Sequence, residues 1–192
     1  MARGRKFTRE DIFAETEKLL LKNGYEAFSI SLVAESLKVS RPAIYKHYTN
    51  KEALILDFMV ERMREFIDTL DGIKEHDGFR RQFRELIQII FQSKDLHQVL
   101  GLAHMVPHHN DEGLMEKKQV LSQLHVAMYS PLLQLIDLGK QEGIVTEDIS
   151  SQLILSFLFQ SIAIPNHLDM DEEAFIGSIE KMICHGIFTN DK

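Results

Sequence analysis

Arg41, Tyr45, Lys46, His47, Tyr48 and Lys51 crowd one short stretch, SRPAIYKHYTNKEAL (Ser40 to Leu54), of a chain that is otherwise acidic. Guanidinium and ammonium groups, aromatic hydroxyls and an imidazole at this density suit the binding of a polyanion rather than proton transfer. Arg and Lys donate to phosphate oxygens and to guanine edges, hydroxyls donate to phosphate, and small apolar groups touch the thymine methyl. The charge distribution supports that chemistry. Residues 1–51 hold ten Lys or Arg against six Asp or Glu, a surplus of +4, which leaves −11 for residues 52–192 out of the overall −7. The two parts of the chain are built for opposite electrostatic tasks.

The elements that must position these groups are helices. Apolar residues recur at helical spacing throughout and no alternating strand pattern occurs, so the expected fold is all-α. Thr8 and Asp11 have capping-box spacing, Ile12, Phe13, Thr16, Leu19 and Leu20 form one face, and Asn23-Gly24 ends the first helix. Ser29 caps a helix of barely two turns with Ile30, Val33, Ala34 and Leu37 on its inner face. The linker Lys38-Val39-Ser40 leads to a third short helix that carries Pro42 in its first turn, with Ser40 or Arg41 as the cap. Thr49 and Glu52 suggest a second capping box, opening a helix through Leu56, Met59, Met63, Phe66, Ile67 and Leu70 to Asp71-Gly72. At 1.5 Å per residue it is a strut of roughly 30 Å. Further helices are expected near 77–93, 95–106, 112–142 with a bend at Pro131, 147–163 and 171–188, with a loop from Pro107 to Gly113.

Two short helices three residues apart, the second with a basic outer face, make the pattern of a helix-turn-helix. Ile30, Val33, Ala34, Leu37, Val39 and Ile44 are the expected inner core, which leaves Arg41, Pro42, Ala43, Tyr45, Lys46 and His47 facing outward. Ser29, Ser31, Tyr48 and Lys51 sit at helix ends, where phosphates bind. The run KNGYEAFSISLVAESLKVSRPAIYKHYTNKEAL resembles, in order and spacing, the TetR-type transcriptional regulators of bacteria, most closely over residues 8–56. The resemblance implies an N-terminal three-helix DNA-binding domain over 1–50 and a helical effector-binding and dimerisation domain over 51–192. It further implies that Ser31, Arg41, Pro42, Ala43 and Lys46 approach bases, with Tyr45, His47 and Lys51 mainly on phosphates; Ser29 and Ser40 complete the expected DNA-binding set. Lys38 stands where the family usually has glycine. Arg3, Arg5 and Lys6 are candidates for an arm in the adjacent minor groove.

A small reading module generally acts as a dimer on two half-sites, so a dimer surface is expected. The segment Leu153 to Ile164 is apolar on nearly every side, and Phe175, Ile179, Met182 and Ile183 form a stripe on the last helix. The resemblance implies that these two helices pair with their mates, making Leu153, Phe157, Phe175, Ile179, Met182 and Ile183 the expected interface. The middle helices are expected to enclose an effector pocket lined by Phe83, Phe91, Leu100, His104, Met105, His125, Met128 and Tyr129, whose Met and Phe side chains suit an organic molecule. His97, His104, His108, His109 and His125 lie close together in sequence, but Pro107 interrupts the i, i+4 pair His104/His108, and they are expected to be pocket and loop residues rather than metal ligands. Cys184 is a single thiol and is expected to be a small buried hydrophobe.

These features predict a homodimeric, sequence-specific regulator that binds a palindromic double-stranded DNA operator, a repressor released by a small organic effector. No cofactor is expected. No apolar run approaches the length of a membrane span and the N-terminus has no apolar signal region, so a soluble, cytoplasmic protein without a membrane partner is expected. The competing classes are a DNA-independent helical adaptor dimer and a helical enzyme. For the enzyme there is no glycine-rich phosphate loop, no nucleophile beside a base and no metal motif.

Overall fold

Short polar side chains mark where the helices of this all-α chain begin. The computed structural model describes residues 7–107, 111–167 and 169–187. Among these residues the order is α1 (Arg9–Ala27), α2 (Ile30–Ser36), α3 (Arg41–Tyr45), α4 (Lys51–Asp71), a 3-10 turn (Gly72–Glu75), α5 (Phe79–Gln92), α6 (Lys94–Leu100), a second 3-10 turn (Gly101–Met105), α7 (Glu112–Gln141), α8 (Ser151–Ser161) and α9 (Glu172–Ile187). Thr8 and Asp11 form the expected reciprocal capping box on α1, and Gly24, at φ +69°, breaks its helical path. Ser29 caps α2 through the Leu32 N–H, and Ser150 caps α8 through the Leu153 N–H.

Three expectations need correction. The cap at the start of α4 is Asn50, whose Oδ1 accepts from the Ala53 N–H at 2.7 Å, and Glu52 instead accepts from the Tyr25 hydroxyl at 3.0 Å. The helix expected at 95–106 changes to 3-10 geometry after Leu100. The helix expected from 147 starts at Ser151, because Thr146 and Asp148 bond each other in a local turn and Ser150 provides the cap. Residues 108–110 of the expected loop, and the expected arm residues Arg3, Arg5 and Lys6, lie outside the described residues.

The chain folds as two units, one drawn from Met1–Glu65 and Asp95–Leu124, the other from Phe66–Lys94 and His125–Lys192. In the first, Ile12, Phe13, Phe28, Val33, Ile44, Leu54 and Phe58 are sealed from solvent, with the Phe13 and Phe58 rings edge to face at 5.7 Å. Each such side chain stabilises the unit by about 1.5–3 kcal/mol through burial alone. Arg62 adds a polar seam, bonding Glu10 and Glu65 and lying within 3.9 Å of Glu17. Among the described residues no helix is long and apolar enough to cross a membrane.

In the second unit Phe79, Phe83, Leu86, Ile87, Ile90, Ile136, Leu155 and Leu158 are buried, and the Phe79 and Phe83 rings stack at 5.4 Å. Gly139 in α7 is what admits the Phe79 ring: a Cβ there would come within 2.6 Å of it. Alanine at 139 gains about 1 kcal/mol of helix propensity, but overpacking a ring that has nowhere to go costs about 1–3 kcal/mol. Gly139→Ala is therefore expected to lower the melting temperature, and a thermal scan showing an unchanged or higher midpoint would refute this account of the contact.

Candidate nucleic-acid interface

The candidate site is the helix-turn-helix made by α2 and α3. Lys38, in the turn, takes the left-handed conformation at φ +56° that glycine takes without a Cβ penalty. That geometry lets the Val39 N–H reach the Ala34 carbonyl at 2.9 Å and closes the end of α2. Ser40 begins α3 without a side-chain capping bond, and Pro42 occupies its first turn. After α3 the Lys46 N–H bonds the Pro42 carbonyl and the Tyr48 N–H bonds the Ile44 carbonyl, at 3.2 and 3.1 Å. Ile44, completely buried, is the one side chain of α3 that enters the core.

Arg41, Pro42, Tyr45, Lys46 and His47 are exposed, Tyr45 to 51%, and Ala43 is half-buried among them. Among the described residues neither Arg41 nor Lys46 makes an ion pair, so both remain available to an outside anion. The His47 ring meets Phe7 edge to face at 5.7 Å. Ser40 is exposed, Ser31 is half-buried, and Ser29 serves as the α2 cap. Lys51 is turned inward: its Nζ donates to the Tyr25 carbonyl at 3.1 Å and lies 4.1 Å from the centre of the Tyr25 ring.

Tyr48 is not a phosphate contact. It is 7% exposed, and its hydroxyl donates to Asp57 Oδ2 at 3.0 Å. Arg9 donates to the same oxygen at 3.0 Å, and Lys117 Nζ donates to Oδ1 at 2.5 Å. These groups border a cleft of about 250 Å³ shared with Ile12, His47, Thr49 and Ala53. Burial pushes the Tyr48 hydroxyl up to about 12, with the Asp57 charge adding to the effect and Arg9 opposing it. For Asp57 burial acts to raise the pKa, but Lys117, with help from Tyr48 and Arg9, outweighs it and holds the carboxyl below its ordinary value. Sequence reasoning missed this cluster, and no short-range spacing announces it: Arg9 and Lys117 lie 48 and 60 residues from Asp57.

The residues expected to line an effector pocket fall in both units. Phe83 and Phe91 are buried core of the second unit, with Phe91 edge to face against Phe175 at 6.4 Å. Leu100, His104 and Met105 belong to the first unit, where His104 and Met105 are exposed. His125, also exposed, lies 4.7 Å from the Tyr129 ring, which stacks on Phe159 at 5.4 Å. Met128 lines a cavity of about 200 Å³ in the second unit, with Ile67, Leu70, Leu132, Leu135 and Leu138. Among the described residues no three His, Cys, Asp or Glu side chains converge on a possible metal position.

Of the residues expected at a dimer interface, Leu153, Phe157 and Met182 are 59%, 57% and 70% exposed. Ile179 and Ile183 are buried within the chain, and Phe175 is half-buried. Burial and the neighbouring Glu180 push the Cys184 thiol up to about 11, which keeps it protonated.

Asp57 gives this site a pH signature. Folded Asp57 titrates below its unfolded value of about 3.9, so its contribution is complete at neutral pH and is lost as pH falls through the folded value. Asp57→Asn is expected to cost about 1–3 kcal/mol at pH 7 by weakening three hydrogen bonds. The gap from the parent protein should narrow below about pH 4. Denaturant titrations at pH 7 and pH 3.5 check this, and a gap that widens in acid would contradict the assigned sign.

Comparison with known proteins agrees with this geometry. Residues 12–58 match the family described as bacterial regulatory proteins, tetR family. The chain is 22% identical over 180 residues to the fatty acid metabolism regulator protein of Bacillus subtilis, covering 88% of this chain and 90% of the relative. It is 40% identical over 50 residues to the HTH-type transcriptional regulator YdeS of the same organism, 26% of this chain and 25% of that one. The solved structure of the fatty acid degradation regulator FadR from Bacillus halodurans shares the fold, with a TM-score of 0.69, 17% identity, and coverage of 95% of this chain and 98% of that chain. With its exposed α3, the helix-turn-helix of residues 12–58 matches the DNA-binding domain of the tetR family of bacterial regulatory proteins, and over most of its length the chain is similar to transcriptional regulators.

Proposed function

We propose that this protein is a cytoplasmic homodimeric repressor that reads a palindromic operator through α3 and leaves it when an organic effector enters the second unit. The observation that carries the proposal is the outer surface of α3: Arg41 and Lys46 exposed and without ion-pair partners beside exposed Pro42, Tyr45 and His47. On this reading Arg41, Pro42, Ala43 and Lys46, with Ser31, face bases, and Ser29, Ser40, Tyr45 and His47 face the backbone. The inward turn of Lys51 makes it a support for α4 that reaches phosphate only by leaving Tyr25.

Two features support the remaining parts. Leu153 and Phe157 on α8 and Met182 on α9 are more than half exposed, an apolar surface suited to a second copy of the chain. The cavity at Met128, Leu132 and Leu135 has apolar walls, with Asp71, Lys74, Gln82 and Gln134 also lining it, which suits an effector with an apolar body and one polar end. Two of the similar proteins carry names that refer to fatty acid metabolism and fatty acid degradation, in keeping with an apolar effector.

Selection of bound duplexes from a random pool, repeated across a salt series, tests the proposal. A palindrome should be enriched, with affinity falling steeply as salt rises. Arg41→Ala should weaken binding by about 1–3 kcal/mol and relax the preference at one position in each half-site, and adding Lys46→Ala should weaken it further. If no sequence is enriched and the double variant behaves like the parent, the protein is a DNA-independent adaptor dimer instead.

A further inference from the structure

Tyr48 holds the C-terminal end of α3. Its N–H closes the turn that follows the helix, its ring lies 6.5 Å from the Phe13 ring, and its hydroxyl is bonded to Asp57. Since Ile44 is the only buried side chain of α3, two anchors set the helix's orientation, Ile44 in the core and Tyr48 through Asp57. Asp57 is itself held. Lys117 bonds its other oxygen, and both side chains are substantially shielded, at 25% and 34% exposure. Arg9, the other cation on Asp57, is 54% exposed and is also drawn toward Glu61 at 3.7 Å, so it holds the carboxylate less exclusively. Lys117 comes from α7, an element with no part in the helix-turn-helix.

We propose that Lys117 is a positioning residue for DNA reading: by holding Asp57, and through it the Tyr48 hydroxyl, it fixes the orientation of α3 without touching DNA. The inference rests on α3 being the reading helix. A short helix released at one end samples orientations that cannot enter the groove, and apparent affinity falls in proportion to the competent fraction. The start of α7 thereby controls the head.

The test compares the full-length protein with Lys117→Met, Lys117→Arg, Tyr48→Phe and the double variant Lys117→Met/Tyr48→Phe. Lys118→Met removes the same charge one position away and serves as the control. Two quantities are read: affinity for the selected duplex across a salt series, and backbone amide exchange over residues 41–48 in the free protein. Lys117→Met should weaken binding about 5- to 20-fold, with the salt slope unchanged and exchange over 41–48 accelerated. Lys117→Arg should recover most of the loss, and Lys118→Met should stay within about twofold. The double variant should be no worse than the more affected single variant, because both act on one latch.

Unchanged affinity in Lys117→Met overturns the inference, as does a salt slope reduced by about one, which identifies Lys117 as a direct phosphate contact. Should Lys117→Met fail to fold, Tyr48→Phe decides: full affinity with unchanged exchange overturns the latch. If the parent protein selects no duplex, the reading of α3 as a DNA reader has failed, and the exchange measurement judges the latch alone, unchanged protection over 41–48 in Lys117→Met being the result that sinks it.

Discussion

A helix of five residues cannot hold itself together in water, because nucleation fixes several dihedrals for each hydrogen bond gained and isolated helices are marginal below about 12 residues. α3 is that short, and it carries Arg41, Tyr45 and Lys46. Its conformation and aim are therefore borrowed from its surroundings: Pro42 pre-sets one φ, Lys38 in a left-handed turn sets the angle of entry, Ile44 plugs the core and Tyr48 ties the exit. Most of the first unit can be understood as the scaffold that supplies those four constraints. The strain of a side chain at φ +56° is tolerable because the bonds around the turn reward it.

The same economy governs charge. The surplus of +4 in residues 1–51 is not simply available to DNA. Arg9 is committed to Asp57 and to the face of the Phe13 ring, and Lys51 to Tyr25. Beyond that segment, Arg62 is enclosed by Glu10, Glu17 and Glu65 and lies over Phe58. Partly buried cations must be paired, since an unpaired one loses its hydration without compensation. What remains exposed and without an ion pair on the helix-turn-helix is Lys38 in the turn and Arg41 and Lys46 on α3, which keep their hydration and stay available to phosphate or a guanine edge.

Features that depend on residues a few positions apart were legible in the sequence. The caps at Thr8 and Ser29 follow from an i, i+3 geometry that any helix start presents, and the inner faces of α1, α2 and α4 follow from helical periodicity. The choice between Thr49 and Asn50 was not legible, because both can cap and only the path of the turn decides. Tyr48 was misread as a phosphate contact because its partner is on the next helix, and the Arg9 and Lys117 contacts to Asp57 span still longer separations. The lining of a cavity is illegible for a related reason. Periodicity marks Phe83 and Phe91 as buried but not whether they face other side chains or empty space, which depends on how neighbouring helices pack. The stripe on α9 likewise has two sides, Ile179 and Ile183 turned into the chain and Met182 turned out.

The apolar exposure on α8 and α9 and the shortness of α3 bear on one another. A single five-residue helix presents few groups to a groove, so a lone head gains little beyond sequence-independent attraction to phosphate. Two heads on one body multiply their contacts, but only if the body associates, and association in water is driven chiefly by burying apolar area such as that of Leu153, Phe157 and Met182. The acidic remainder, −11 over residues 52–192, works in the same direction on DNA: it repels the duplex from the body and favours approach by the basic segment. In the proposed dimer, apolar burial at Leu153, Phe157 and Met182 and charge segregation along the chain compensate for a reading element of only five residues, and weakening either should show first as lost discrimination between operator and bulk DNA.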